Sequence, residues 1–153
     1  MNATTTETTL QGAPLTSDLA HALLAGHAIV TVRNTRTGNR FTYRIRQCDA
    51  MPELFFVAVL TGSENEQDFT YLGTIRKEHY THGRKSRIAH TAQSAQAFAW
   101  FWTHRNILPA CVEVWHTGRC LRCGRTLTVP ESIASGLGSE CSKKVSHHTR
   151  AAA

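Results

Sequence analysis

The sequence lacks the long apolar segments that mark membrane proteins. No apolar run approaches the roughly 20 residues that a helix needs to cross a bilayer, and the longest candidate, ELFFVAVLTG, has the length of a strand. The first residues, MNATTTETTLQGAPLTSD, contain neither a basic segment nor an apolar one, so we expect no secretory signal. We therefore expect a cytoplasmic protein with no membrane partner.

Cysteine is scarce, and its distribution is uneven. The 153 residues include five cysteines, an odd number that argues against a disulfide framework and favours reduced thiols that can bind a metal. Three of the five fall within HTGRCLRCGRTLTVPESIASGLGSEC, which spans residues 116–141.

Recognisable catalytic motifs are missing as well. The sequence has no Ser-His-Asp order, no P-loop and no GxGxxG pattern. It also has no cluster of carboxylates that would hold a hydrolytic metal, which makes a metal-dependent nuclease the least favoured interpretation. We predict that the protein is not an enzyme.

Acidic residues are few in the second half of the chain. Residues 1–75 carry five arginines against seven acidic residues, whereas residues 76–153 carry twelve lysines or arginines against four glutamates. The formal net charge of +6 therefore arises in the second half. This asymmetry indicates a polyanionic partner, although basic surfaces also occur for solubility alone.

The hydrophobic pattern predicts most elements of the fold. LTSDLAHALLAGHA predicts a short helix capped by Thr16 or Ser17 and ended by Gly26. AIVTVRN and RFTYRIRQ flank TRTGN and predict a hairpin, and LFFVAVL and FTYLGTIR predict two further strands. The segment from Arg76 to Arg87 is predicted to be a mobile basic loop.

The next elements are a second helix and a last strand. SAQAFAWFWTHRNIL predicts a helix that ends at Pro109, with Phe98 and Trp102 on its buried side and Trp100 exposed. CVEVWH alternates as a short strand and leads into the cysteines. We predict an α+β fold: a mainly antiparallel sheet with two flanking helices over residues 15–115, a disordered tail over 1–14, and a small zinc-binding module, treble-clef or ribbon-like, over 116–148.

The three late cysteines have the spacing of a structural zinc site. Cys120 and Cys123 form a CxxC pair, followed at once by Gly124, which permits the positive φ that such a turn commonly requires. Cys141 follows after a segment long enough to return the chain to the same ion. Three sulfurs leave one position of a tetrahedral site to be filled.

Spacing alone leaves the fourth ligand open. His116 is our first candidate, because it ends the predicted strand four residues before Cys120. His147 and His148 compete with it if a helix begins at Cys141. In either case we expect one structural Zn²⁺ ion, because a catalytic site would need an open position and a general base, and nothing in the spacing singles out Glu131 or Glu140 as that base.

A resemblance supports this interpretation of the module. GRCLRCGRTLTVPESIASGLGSEC resembles the pattern CxRCGRxLTxPESIxxGxGxxC of an uncharacterised family that recurs in phage, plasmid and bacterial proteins. The chain departs from it at Ser139, where the family more often has proline. The resemblance covers about residues 116–145 and implies a zinc module on a mobile-element protein, without implying a reaction.

Two hypotheses for the function remain open at this point. The first is a non-enzymatic, zinc-stabilised accessory protein that binds DNA or RNA through arginines and lysines. The second is an anti-defence protein, for instance an anti-CRISPR protein, that binds a host nuclease complex; it depends on the genomic company of the family. The candidate contact residues are Arg44, Arg46, Arg84, Lys85, Arg87, Arg119, Arg122 and Arg125.

Overall fold

In the described part of the chain, seven antiparallel strands form one sheet. The computed structural model describes residues 13–14, 19–62, 68–117, 119–127, 130–138, 140–141 and 143. The strands are β1 (Ala13–Pro14), β2 (His27–Asn34), β3 (Arg40–Gln47), β4 (Leu54–Leu60), β5 (Phe69–Arg76), β6 (His79–His82) and β7 (Val112–His116). Their order across the sheet is β1-β7-β2-β3-β4-β5-β6, so the last strand lies beside the second.

Among the described residues, three short helices accompany the sheet: α1 (Leu19–Leu23), α2 (Gln93–Thr103) and α3 (Pro130–Ser135). In the described ranges, no helix is both long and apolar enough to cross a membrane. Together with the antiparallel sheet, these helices confirm the predicted α+β class, including the hairpin of β2 and β3.

One face of the sheet forms the core. In β3, Tyr43 and Ile45 alternate with arginines and are fully buried. The helix α2 packs on this face. The Tyr43 hydroxyl donates a hydrogen bond to the Ser94 carbonyl (2.8 Å), and the centroids of the Tyr43 and Phe98 rings lie 4.8 Å apart. Phe98 and Trp102 are buried as predicted, and Trp100 is 41% exposed. These aromatic contacts fix α2 against the middle of the sheet.

The opposite face, which we call the open face, is accessible to solvent. Cross-strand register places on it His27, Ile29, Thr31, Arg33, Arg40, Thr42, Arg44, Arg46, Leu54, Phe56, Ala58, Leu60, Phe69, Tyr71, Thr74, Arg76, Glu113 and Trp115. Of these side chains, Ala58 is buried and all others are half-buried or exposed. Arginines, threonines and aromatic residues therefore line a surface that the described helices leave uncovered.

Two predicted segments differ from the structure. Ala13 and Pro14, assigned to the disordered tail 1–14, pair with Trp115 and His116 as the edge strand β1. Residues 79–82, assigned to a mobile loop, pair with β5 as the other edge strand β6. Residues 1–12 and the predicted caps Thr16 and Ser17 lie outside the described residues.

The basic loop after β6 is also held more firmly than predicted. The Ser86 hydroxyl donates a hydrogen bond to the Tyr71 carbonyl (2.7 Å) and accepts one from the amide of Ile88 (3.1 Å). An imidazole nitrogen of His82 lies 2.9 Å from the Ile88 carbonyl. These bonds fasten residues 83–88 to the edge of the sheet, so the prediction of a mobile loop is corrected.

Candidate metal centre and basic cleft

The turn that carries the first two cysteines, residues 119–126, is compact, and we call it the knuckle. It begins directly after β7, where Arg119 and Thr126 form an antiparallel bridge. The Cys120 amide donates to the Arg125 carbonyl (2.7 Å), and the Gly124 amide donates to the Cys120 carbonyl (2.9 Å). Gly124 has a φ of 80°, as expected for a glycine that closes such a turn. This backbone places Cys120 and Cys123 on the same side of the turn.

The third cysteine is returned to the knuckle by α3 and the glycines that follow it. The short helix α3 begins at Pro130, and Gly136 ends it with a φ of 76°. The Leu121 amide then donates a hydrogen bond to the Gly136 carbonyl (2.8 Å). The Sγ atoms of Cys120, Cys123 and Cys141 consequently lie within 4.8 Å of one another. The structure thus brings together the three cysteines of the predicted site.

The surroundings of Cys120 suit a thiolate. Its Sγ accepts hydrogen bonds from the backbone amides of Arg122 and Gly138, both at 3.4 Å. Burial raises the pKa of this thiol, but hydrogen bonds from the amides of Gly138, Cys123 and Arg122 and from the Cys123 side chain outweigh burial and lower the pKa to about 7. A sulfur that accepts several N–H donors is prepared to carry negative charge, as a metal ligand must.

The other two thiols differ in their exposure. Cys141 is buried, and burial raises the pKa of its thiol even though the Arg122 guanidinium donates to its Sγ at 3.6 Å. Cys123 is exposed. Three sulfur ligands of one tetrahedral zinc ion lie about 3.8 Å apart, given Zn–S bonds of about 2.3 Å. The sulfur atoms of the cluster lie within 4.8 Å of one another, and these soft donors can hold a metal ion.

His116 is not part of this cluster. Its side chain is 1% exposed on the core face of the sheet, and its Nε2 lies 2.6 Å from the Ile133 carbonyl in α3. Burial lowers the pKa of the His116 imidazole, and the hydrogen bond to Ile133 only partly opposes this effect. His116 therefore connects α3 to the sheet and lies outside the group of three sulfurs, and its place in the predicted ligand set stays a prediction. The competing candidates His147 and His148 lie outside the described residues.

The structure separates the predicted contact residues into two groups. Arg44 and Arg46 lie on the open face, and the knuckle presents exposed arginines, Arg119, Arg122 and Arg125, beside the β7 end of the sheet. The other group, Arg84, Lys85 and Arg87, is exposed after β6 at the opposite edge of the sheet. The two groups do not form one continuous patch around the cysteines.

A polar cleft joins the knuckle to the open face. It has a volume of about 750 Å³ and is lined by Ala25, Gly26, His27, Arg46, Gln47, Cys48, Asp49, Ala50, Phe56 and Arg122. Two backbone hydrogen bonds join segments that line the cleft. The His27 amide donates to the Leu121 carbonyl (2.8 Å), and the Gln47 amide donates to the Gly26 carbonyl (2.9 Å). The sequence predicts Arg46 and Arg122 separately as contact residues. Their position on the same cleft depends on long-range pairing, which no local sequence pattern indicates.

Comparison with known proteins gives one match. Residues 112–146 match a family of unknown function (DUF6011), and these residues include β7, the knuckle and all three clustered cysteines. The match covers less than half of the chain. No curated protein and no solved structure matches the chain.

Proposed function

We propose that the chain is a non-enzymatic nucleic-acid-binding protein whose C-terminal module is stabilised by a structural zinc ion. Cys120, Cys123 and Cys141 would hold this ion, and a fourth ligand would complete its tetrahedron. The ion would cross-link the knuckle to the segment after α3. The protein's own arginines would then bind the phosphates of the partner.

The charge of the open face carries this proposal. Among its described residues, Glu113 is the only acidic one, and it lies 3.9 Å from Arg33. The ion pairs between described residues join Arg33 to Glu113 and Arg105 to Glu78, and they leave Arg44 and Arg46 without an acidic partner. Burial, and next to it the charge of Arg46, lowers the pKa of the Arg44 guanidinium. Repulsion between these neighbouring cations would be relieved by a polyanion.

Binding of labelled oligonucleotides at increasing salt tests the proposal. We expect affinity to fall linearly on a log–log plot of binding constant against salt, because each phosphate contact releases condensed counterions. Replacing both Arg44 and Arg46 by glutamine should weaken binding at least tenfold and reduce that slope. Arg36→Gln is the matched control, because Arg36 is exposed in the β2–β3 turn, away from the open face.

The same titration contains the result that would refute the proposal. At a low salt concentration of about 50 mM, electrostatic contacts are at their strongest. Absence of binding to duplex DNA, single-stranded DNA and RNA under that condition would exclude a nucleic-acid partner. If Arg36→Gln weakens binding as much per removed charge as the double variant does, net charge and not the open face determines binding.

A further inference from the structure

We infer that the cleft between the knuckle and the open face binds one nucleotide of a single-stranded nucleic acid, with Arg46 and Arg122 on its phosphate and Phe56 against its base. This inference rests on the proposed function and makes it more specific. The partner is then a single strand, and Arg46, Arg122 and Phe56 are the side chains that would recognise it.

The positions of the two arginines define the phosphate part of the site. Arg46 is exposed at the end of β3, opposite His27 of β2 in the cross-strand register. Arg122 reaches the same cleft from the knuckle, and its Cγ would lie 3.9 Å from a Cβ built on Gly26, the residue before His27. Two arginine side chains from separate elements therefore line one opening, and guanidinium groups suit bidentate recognition of phosphate.

The aromatic part of the site lies beside Arg46 on the same face. Phe56 is the direct cross-strand partner of Arg46, is half-buried and lines the cleft. Further along the face, the Arg44 guanidinium lies over the Phe69 ring at 4.8 Å. A flat ring on an open sheet can stack on a base only where the base is unstacked, because a duplex covers the faces of its own bases. Aromatic rings interleaved with arginines thus favour a single strand.

The metal centre is coupled to this site through Arg122. The Arg122 backbone amide donates to the Cys120 Sγ, and its guanidinium donates to the Cys141 Sγ. A guanidinium has five N–H donors, so one bond to sulfur leaves others for a phosphate. The cysteine cluster therefore sets the position of an arginine that faces the cleft.

One acidic residue in the cleft opposes an anion and provides a sharp control. Asp49 is exposed, lines the cleft and takes part in no ion pair between described residues. If a phosphate binds there, removing the Asp49 charge must strengthen binding, whereas a structural role for this residue would give no gain. An exposed charge is partly screened by salt, so we expect an increase of about two- to threefold for Asp49→Asn.

The experiment compares fluorescence anisotropy of a labelled single strand, as DNA and as RNA, with that of the matching duplex. We expect tighter binding of the single strand, and a loss of roughly tenfold in its affinity for Phe56→Ala without a change in salt slope. Arg46→Gln and Arg122→Gln should each reduce the slope by about 0.7, the value per phosphate of a single strand. Metal content is measured in Arg122→Gln, and Arg46→Gln, which does not contact the cysteines, repeats the test without that complication.

The outcomes distinguish failure of this inference from failure of the proposed function. Equal affinity for duplex and single strand, or full affinity in Phe56→Ala, would overturn the inference while leaving nucleic-acid binding intact. Unchanged binding in Arg46→Gln together with no gain in Asp49→Asn would overturn it as well. Failure of every oligonucleotide to bind would refute both the inference and the proposed function.

Discussion

At the scale of single residues, local chemistry predicts the cysteines of the candidate site but not the role of His116. Cys120 and Cys123 are separated by two residues, so the turn alone brings them together. The position of His116 is decided by β7, which inserts beside β2 and turns this side chain into the core. Its spacing to Cys120 suits a ligand, whereas burial and the contact with the Ile133 carbonyl suit a structural role.

Replacing His116 by leucine tests that role. The variant leaves the carbonyl of the half-buried Ile133 without this partner, and we expect the free energy of unfolding to fall by about 1 kcal/mol, the typical net contribution of one hydrogen bond. Metal content per folded chain should not change. Urea unfolding and elemental analysis measure the two quantities, and loss of the metal from a folded variant would show that His116 is a ligand after all.

At the scale of elements, strands with an alternating pattern were predicted and the two edge strands were missed. The first edge strand, β1, is two residues long and depends on pairing with β7, far along the chain. The turn before β6 consists of Lys77 and Glu78, with φ values of 50° and 65°. A two-residue hairpin turn with two positive φ values usually contains asparagine and glycine, so the sequence lacks the signal by which such hairpins are recognised.

This turn leads to a prediction about stability. Asparagine tolerates the left-handed backbone conformation of residue 77 better than lysine does. We therefore expect Lys77→Asn to raise the free energy of unfolding by about 0.5 kcal/mol. The urea midpoint at constant slope measures the effect. Lys85→Asn, an exposed lysine that is not among the positive-φ residues, serves as the control and should change nothing. A lower midpoint for Lys77→Asn would contradict the assignment of this turn.

At the scale of the whole molecule, the knuckle and the sheet share one hydrophobic core. Leu121 and Leu137 from the cysteine module belong to the same buried cluster as Tyr43 and Phe98. The His27 amide bonds directly to the knuckle at Leu121. A boundary at residue 116 can be proposed from composition, but the packing across it depends on long-range contacts. Because the knuckle packs against the sheet, a metal ion held by the three cysteines would position the exposed arginines of the sheet in addition to those of the knuckle.

The central claim is that these three thiols share one metal ion, and native mass spectrometry of the purified chain tests it most directly. We predict about one zinc ion per chain, lost in Cys120→Ser and in Cys123→Ser, because metal binding and folding of a small module are linked. Cys48→Ser and Cys111→Ser, which alter half-buried cysteines outside the cluster, should retain it. A wild-type chain that is fully folded without any bound transition metal would contradict the account.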